Sequence, residues 1–360
     1  MDFVIYGAQG MALSVYRAIH NLYPSRRIRC FLVSEYGINA KSLAGIPVLE
    51  LEAFAEKLSQ KEKDQIEVFI AVPESVMSDI ERELENYGFH CYIRFTSLHW
   101  AELMSYFFYK ENYFPLSALP IGYHKARMQM FLATFYKDKP LTETYKRPDW
   151  MIPIQAGTAL CRERVADLLD NEGENISEKN GNYSELTALY WIWKNRLILN
   201  SSDTESEYYG LSHYRRILML SEEDRLRLED NEVDVVLPYP MIYEPNIEVH
   251  HKRYLKKADW EALLAALKEI HPQDKDRMLN ILQQQYFYNY NILLARKKVL
   301  SDYCSWLFPI LSRAEELSEP KGCSRKDRYI GYMGETLTTL YFMANRDRLN
   351  IVHTGCRFLI

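Results

Sequence analysis

The stretch that most constrains this chain is a helix apolar on nearly every side, followed after a short loop by a strand that ends in a compact polar cluster. The helix is expected over Ser184 to Asn195, with Leu186, Leu189, Tyr190 and Trp193 on one face and Thr187, Trp191 and Lys194 on another. A helix of that kind is normally buried against a sheet. Its two charged residues, Glu185 and Lys194, are costly to bury unpaired, so one of them is expected to face a polar cleft. The following strand, Tyr208 to Leu211, delivers Ser212, His213, Tyr214, Arg215 and Arg216 to its C-terminal end. In open α/β sheets that end of the strands is where ligands bind.

The remainder of the chain supports an α/β class with about two domains, the soft expectation for 360 residues. A hydrophobic fraction of 48% and a charged fraction of 26% are those of an ordinary globular protein, and a net charge of −5 gives no support to nucleic-acid binding. The six cysteines are scattered without a Cys-x-x-Cys pair, so neither a zinc site nor a redox motif is expected. Scattered cysteines, no visible signal peptide and no spanning apolar run lead to a cytoplasmic expectation, with contact at the inner face of the membrane left open. The 27 tyrosines suit core packing first and stacking on sugars or bases second.

Residues 1–110 read as a Rossmann-like parallel sheet. Strands are expected at Asp2–Tyr6, Ile28–Val33, Ile66–Val72 and His90–Phe95. Helices are expected up to Leu22, after Val48, and from Pro73 to Tyr87, where Gly88 is the stop. The first turn, Gly7 to Ala12, is Gly-x-x-Gly-x-Ala and lacks the second close glycine of a dinucleotide fingerprint. A tight turn without a bound dinucleotide is therefore preferred over an NAD-dependent reading. This domain resembles the small N-terminal domain of sugar acyltransferases of the sialic-acid and bacillosamine type, which implies a regulatory or donor-related role.

Residues 111–128, with Pro115, Pro120 and Gly122, read as a solvated linker, and residues 129–360 as the second domain. Strands are expected at Met130–Tyr136 and Asp234–Pro238, and a loop feeding a buried strand over Tyr286–Ala295. The acidic turn Asp170–Ser177 lacks the order of a calcium loop and reads as a capping turn, with Asn182 or Ser184 capping the next helix. The run His250–Lys257 reads as a solvated helix face, or as a contact for an acceptor's pyrophosphate or anionic lipid heads. The loop Glu319–Arg325 is a candidate mobile lid. A helix is expected from Thr336 to Ala344, with Glu335 at its start.

Over roughly residues 129–345 the chain resembles the DUF4422 family of bacterial capsule and exopolysaccharide biosynthesis proteins. The resemblance is carried by Asn175-Ile176-Ser177-Glu178-Lys179-Asn180, Glu185 to Asn195, Gly210 to Arg216, Ile152 to Gly157, and an Arg-x-x-Gly-Tyr-x-x-Glu motif at Arg328–Glu335. It implies a glycosyltransferase-like domain with a GT-A-like fold. The family's first strand commonly ends in His-Lys, and here Tyr136 takes the place of the histidine. Tyr136 at that loop would stack on the uracil of a UDP-sugar. Glu185, Lys194, Asn289 and Asn291 are the further candidates for contacts with the nucleotide and sugar, Asn291 ahead of Asn289.

Metal-dependent GT-A enzymes end this strand in Asp-x-Asp, whereas here it ends without a carboxylate. His213, Arg215 and Arg216 are expected to take the donor diphosphate in place of a divalent metal. Strand alternation leads to the expectation that only one of the two arginines points at the site. A carboxylate base for the acceptor hydroxyl is expected at Glu335, with Asp327 second. The function so implied is transfer of a hexose, such as galactose, from a UDP-sugar to a glycan or lipid-linked acceptor, with no bound cofactor. The alternative is a non-catalytic nucleotide-sugar sensor or scaffold in polysaccharide assembly.

Overall fold

The computed structural model describes residues 2–142, 144–198, 207–319 and 326–359. Residues 320–325 of the expected lid lie outside them. The first unit holds a sheet in the order Ser42–Leu43, Ile46–Glu50, Ile28–Val33, Phe3–Tyr6, Glu67–Ile70, Tyr92–Arg94. All its pairings are parallel except that of Ser42–Leu43 with Ile46–Glu50. Alternation along Phe3–Tyr6 explains the layers: Phe3 and Ile5 enter one core with the helices Gly10–Leu22 and Ser97–Lys110, while Val4 and Tyr6 enter another with Met77 and Leu84 of the helix Glu74–Asn86. Residues 46–50, expected to run directly into a helix, form a strand instead. Val48 packs into the sheet core beside Phe31, and short helices follow at Leu51–Ala55 and Gln60–Lys63.

The second unit is built on a mixed sheet in the order Ile351–Thr354, Val235–Pro238, Leu293–Arg296, Tyr208–His213, Met128–Thr134, Met151–Gln155, Leu168–Leu169. Tyr208–His213, Met128–Thr134 and Met151–Gln155 run parallel, so their C-terminal ends share one edge. The strand expected to reach Tyr136 stops at Thr134, which leaves Tyr136 in the loop beyond that edge. Behind the sheet, the helices Leu186–Ile192, Lys297–Leu317 and Tyr329–Ala344 contribute to one large apolar core. No described helix is long and apolar enough to cross a membrane.

The joint between the units is packed. Tyr113, Leu116 and Ala126 are buried, and Pro115 bridges to His353, whereas residues between them such as Phe114, Ile121 and Tyr123 are exposed as expected of a solvated linker. The apolar residues flanking the prolines anchor it.

The units also meet directly at the first glycine turn. Ser14 Oγ accepts from Ile242 N–H at 3.2 Å, and Arg17 pairs with Glu244 at 2.6 Å. A Cβ on Gly10 would lie 2.7 Å from Cε1 of Tyr243. Tyr243 is itself stacked on His250 with ring centroids 3.5 Å apart, so it has little freedom to retreat. The glycine at this turn therefore serves close packing between the units. Gly10→Val should destabilise the chain by about 1–3 kcal/mol, the usual cost of overpacking, measured as a lower urea midpoint.

Candidate active site

The polar cluster expected at the strand end is a tight hairpin. His213 closes the strand Tyr208–His213, Tyr214 and Arg215 make the turn, and Arg216 opens the strand Arg216–Leu218 opposite His213. The hairpin forms one wall of a cleft of about 660 Å3 at the shared C-terminal edge of the parallel strands. The loop Phe135–Asp138 forms a second wall. Asn180, Gly181, Ser184 and Glu185 form a third, and Lys326 and Arg328 a fourth.

Five of the expected residues, Tyr136, Glu185, His213, Arg215 and Arg216, meet in this cleft. Both arginines line it, where strand alternation alone led to the expectation of one, because the turn places Arg215 outside the strand period. Arg215 lies 4.9 Å over the Tyr214 ring and Arg216 4.5 Å over the Tyr290 ring. The Nε of each guanidinium is buried without a partner among the described residues.

Glu185 is the centre of the polar network. It is 8% exposed, and its Oε1 accepts from Asn291 Nδ2 at 2.7 Å. Its Oε2 lies 3.6 Å from Arg328, and its Oε1 lies 4.0 Å from His213 Nε2. Asn291 is fully buried and also donates to the Gly331 carbonyl at 3.2 Å while accepting from Thr338 at 3.2 Å. It therefore positions Glu185 from behind and does not line the cleft. Asn289 also lies off the cleft and donates to the Tyr243 hydroxyl at 2.9 Å. Lys194 lies roughly 13 Å farther along the helix at 1.5 Å per residue. There it pairs with Glu174 at 3.0 Å and sits 4.1 Å over the Trp193 ring.

The expected single helix from Ser184 to Asn195 is divided. A short helix, Asn180–Tyr183, ends at Ser184 with φ of +51°; Leu186–Ile192 follows, and Trp193–Ile198 continues as a π-helical turn. Neither Asn182 nor Ser184 makes the expected side-chain cap at the helix Leu186–Ile192. Ser184 Oγ instead accepts from Arg328 Nε at 2.8 Å. Trp191 and Trp193 are core residues: Trp191 donates to the Glu172 carbonyl at 2.7 Å, and Trp193 stacks on Phe308.

The turn before this helix is fixed by Asp170, which is wholly buried. Its carboxylate accepts from the Gly157 and Thr158 backbone N–H groups at 2.7 and 3.0 Å, from Thr187 Oγ1 at 2.7 Å, and from Ser177 Oγ. The acidic run is thus more than a simple helix cap. Among the described residues no group of three or more His, Cys, Asp or Glu side chains is placed to hold a metal ion.

Glu335 does not open its helix. The helix starts at Tyr329, so Glu335 lies in its second turn. Gly331 and Gly334, which precede the expected start at Thr336, are both helical. A Cβ on Gly334 would lie 2.6 Å from Leu186, so the glycine admits close approach of the helix that follows Glu185. Burial, and next the Glu185 carboxylate, push the Glu335 carboxyl up to about 8, against the pull of the Tyr290 backbone, Arg328 and Arg216. Asp327 is exposed and is not part of the cleft wall, although its neighbours Lys326 and Arg328 are.

Burial lowers the proton affinity of His213 below that of a free imidazole, and the Glu185 carboxylate only partly offsets this, which favours the neutral ring at pH 7. Its Nε2 is buried without a hydrogen-bond partner among the described residues. Asp138, whose Oδ2 accepts from Phe135 N–H at 2.7 Å, is pushed up to about 6 by burial, with Arg215 and Arg328 acting against that rise.

Arg328 is the functional candidate that sequence reasoning left out, although it begins the Arg-x-x-Gly-Tyr-x-x-Glu motif. Its backbone is left-handed, with φ of +60°. Ser184, Tyr290 and Asn291 also have positive φ, at +51°, +73° and +51°, Ser184 with ψ of −131°. Such residues cost about 1–3 kcal/mol each and collect where function requires them. The four come together around Glu185.

Glu335 holds a proton more tightly in the folded chain than in the unfolded one. Its stabilising contribution is complete below about 4.5 and is lost as pH rises through about 8. Glu335→Gln should therefore raise the Tm at pH 8.5 by a few degrees and leave it nearly unchanged at pH 5. Calorimetry at the two pH values checks this. Asp170→Ala, which strands several buried donors, should cost about 3 kcal/mol or more in chemical denaturation.

A family model described as a domain of unknown function, DUF4422, matches residues 135–346. Among solved structures, the apo form of the bifunctional glycosyltransferase WbbM is similar in fold, with 24% identity and a TM-score of 0.54 over 64% of this chain. The match spans 45% of that protein's chain. No curated protein matches. The family model covers more than half of the sequence, and the chain belongs to the DUF4422 family.

Proposed function

We propose that the chain is a glycosyltransferase that moves a hexosyl group, such as galactosyl, from a UDP-sugar to a glycan or lipid-linked saccharide in the assembly of surface polysaccharide. The observation that carries this reading is the cleft at the sheet edge, where Arg215, Arg216 and Arg328 converge beside Glu185. The fold shared with a glycosyltransferase supports it.

In the proposed reaction the bond between the sugar's anomeric carbon and the diphosphate oxygen breaks, and its electron pair goes to the departing UDP. The acceptor hydroxyl oxygen forms the new bond to that carbon and gives up its proton to a carboxylate. Arg215 and Arg216 hold the growing negative charge in planar forks, with Arg328 beside them. They do this in place of a divalent ion, since the strand ends in His213-Tyr214-Arg215-Arg216 where related enzymes carry paired aspartates. His213, being neutral, offers Nε2 to a donor-sugar hydroxyl, which amends the expectation that it binds diphosphate as a cation. Tyr136 stacks on the base. Glu335 is the proton acceptor, and Glu185 orients the sugar.

Three outcomes are expected. Hydrolysis or transfer from UDP-hexoses persists in EDTA; its loss would contradict the metal-free reading. Arg215→Ala and Arg216→Ala each weaken UDP binding by about tenfold or more in calorimetric titration, as loss of a charged hydrogen bond implies. Because Glu335 must be ionised to take the proton, kcat/KM rises about tenfold per pH unit below about 8 and levels above it. Donor binding without turnover across a broad acceptor panel would replace the catalytic reading with that of a nucleotide-sugar sensor.

A further inference from the structure

We propose that Tyr254, Tyr332 and the basic segment 252–257 form an acceptor subsite for a saccharide that carries a phosphate group. The inference deepens the glycosyltransferase reading above by naming the acceptor's chemistry and where it sits.

One helix face connects this surface to the donor cleft. Arg328, Tyr332 and Glu335 follow at spacings of four and three residues, so they lie along one side of the helix Tyr329–Ala344 and its N-terminal boundary. The Arg328 guanidinium, a wall of the cleft, lies 5.9 Å from the Tyr332 ring. Beyond it the Tyr254 ring lies 5.0 Å from Tyr332 with an interplanar angle of 31°, and Tyr254 is 49% exposed. The platform is braced from below: His250 packs edge-on against Tyr254 at 5.4 Å and stacks on Tyr243. These partners bury His250, and Trp260 stacked 3.7 Å from His251 buries that ring, so residues 250 and 251 are not the solvated helix face expected from the charge run.

Glu335, Tyr254 and Tyr332 together line a notch of only about 10 Å3. That is room for about one water. A sugar ring would therefore lie over the two tyrosines, its C–H face against the exposed aromatic surface. A hydroxyl at its edge would then reach toward Glu335, the proposed proton acceptor, whose charge is coupled to Glu185, Arg328 and Arg216 of the donor side.

Tyr254 also borders a trough of about 590 Å3 lined by residues 251–257. Lys252, Arg253, Lys256 and Lys257 are all exposed there. Lys257 pairs with Glu261 at 3.6 Å and Arg253 contacts Gln9, whereas Lys252 and Lys256 have no carboxylate partner among the described residues. The cluster also stands at the start of the helix Lys257–Ile270, where the backbone N–H groups already present positive charge. Cations there raise the electrostatic energy of the empty protein, and a bound phosphate lowers it. Aromatic platform and cation cluster adjoin through Tyr254, which matches one ligand with a sugar and a phosphate side by side.

The test is calorimetric titration of the full chain saturated with UDP, which occupies the donor cleft. The probes are glucose, galactose and N-acetylglucosamine 1-phosphates, the corresponding methyl glycosides, and inorganic phosphate. At least one sugar 1-phosphate should bind tenfold or more tightly than both its methyl glycoside and inorganic phosphate. Tyr254→Ala and the double variant Lys252→Glu/Lys256→Glu should each weaken it tenfold or more and leave UDP affinity unchanged. Equal binding of sugar phosphate and methyl glycoside, equal binding of inorganic phosphate, no binding of any probe, or wild-type affinity in both variants would overturn the subsite. If UDP fails to bind, the donor reading falls, and the same titrations on the UDP-free chain still decide the acceptor subsite.

Discussion

The buried carboxylate of Asp170 fixes the ground on which the cleft stands. Its two oxygens hold the backbone at Gly157 and Thr158, the Ser177 hydroxyl and the Thr187 hydroxyl. One carboxylate thus joins the end of the strand Met151–Gln155 to the helix Leu186–Ile192. A buried anion is tolerated only when its acceptor capacity is used, and here it is used by four donors from three separate segments. With that helix placed, Glu185 at its start faces the cleft, and Asn291 locks the carboxylate from the other side.

Around Glu185 the chain accepts backbone strain for the sake of geometry. Ser184 and Arg328, far apart in sequence, both have positive φ and are joined by the bond from Arg328 Nε to Ser184 Oγ. Tyr290 and Asn291 supply the opposing left-handed pair, and the ring of Tyr290 carries Arg216. Opposite charges, a neutral imidazole and a proton-holding carboxyl are thereby kept within one small region. Such separation of protonation behaviour between neighbouring acids is what acid–base chemistry at neutral pH uses.

Much of this was legible in the sequence wherever a local rule decided the outcome. The apolar run Phe3–Tyr6, the strand Ile28–Val33 and the helix Glu74–Asn86 closed by Gly88 follow from periodicity and turn chemistry. The cluster His213, Arg215 and Arg216 at a strand's C-terminal end was legible from the strand before it, while Tyr136 and Glu185 joined it through the family resemblance. What escaped depended on distant partners. His250 and His251 read as part of a basic surface because Tyr243 and Trp260, which cover them, are brought in by the fold. The last helix was expected to begin only at Thr336, because Leu186, which crowds Gly334, lies more than a hundred residues earlier. Arg328 escaped because its importance lies in a backbone angle. The protonation of His213 depends on burial that no local pattern reports.

The contact between Gly10 and Tyr243 has a consequence for the first unit. In a Rossmann-like sheet the start of the first helix is the mouth at which a nucleotide's phosphates dock. Here the mouth is shut by a ring belonging to the second unit. A phosphate at that turn and the present docking of the two halves exclude each other. A phosphate docking at that turn would have to displace Tyr243, and would thereby loosen the aromatic stack beneath Tyr254.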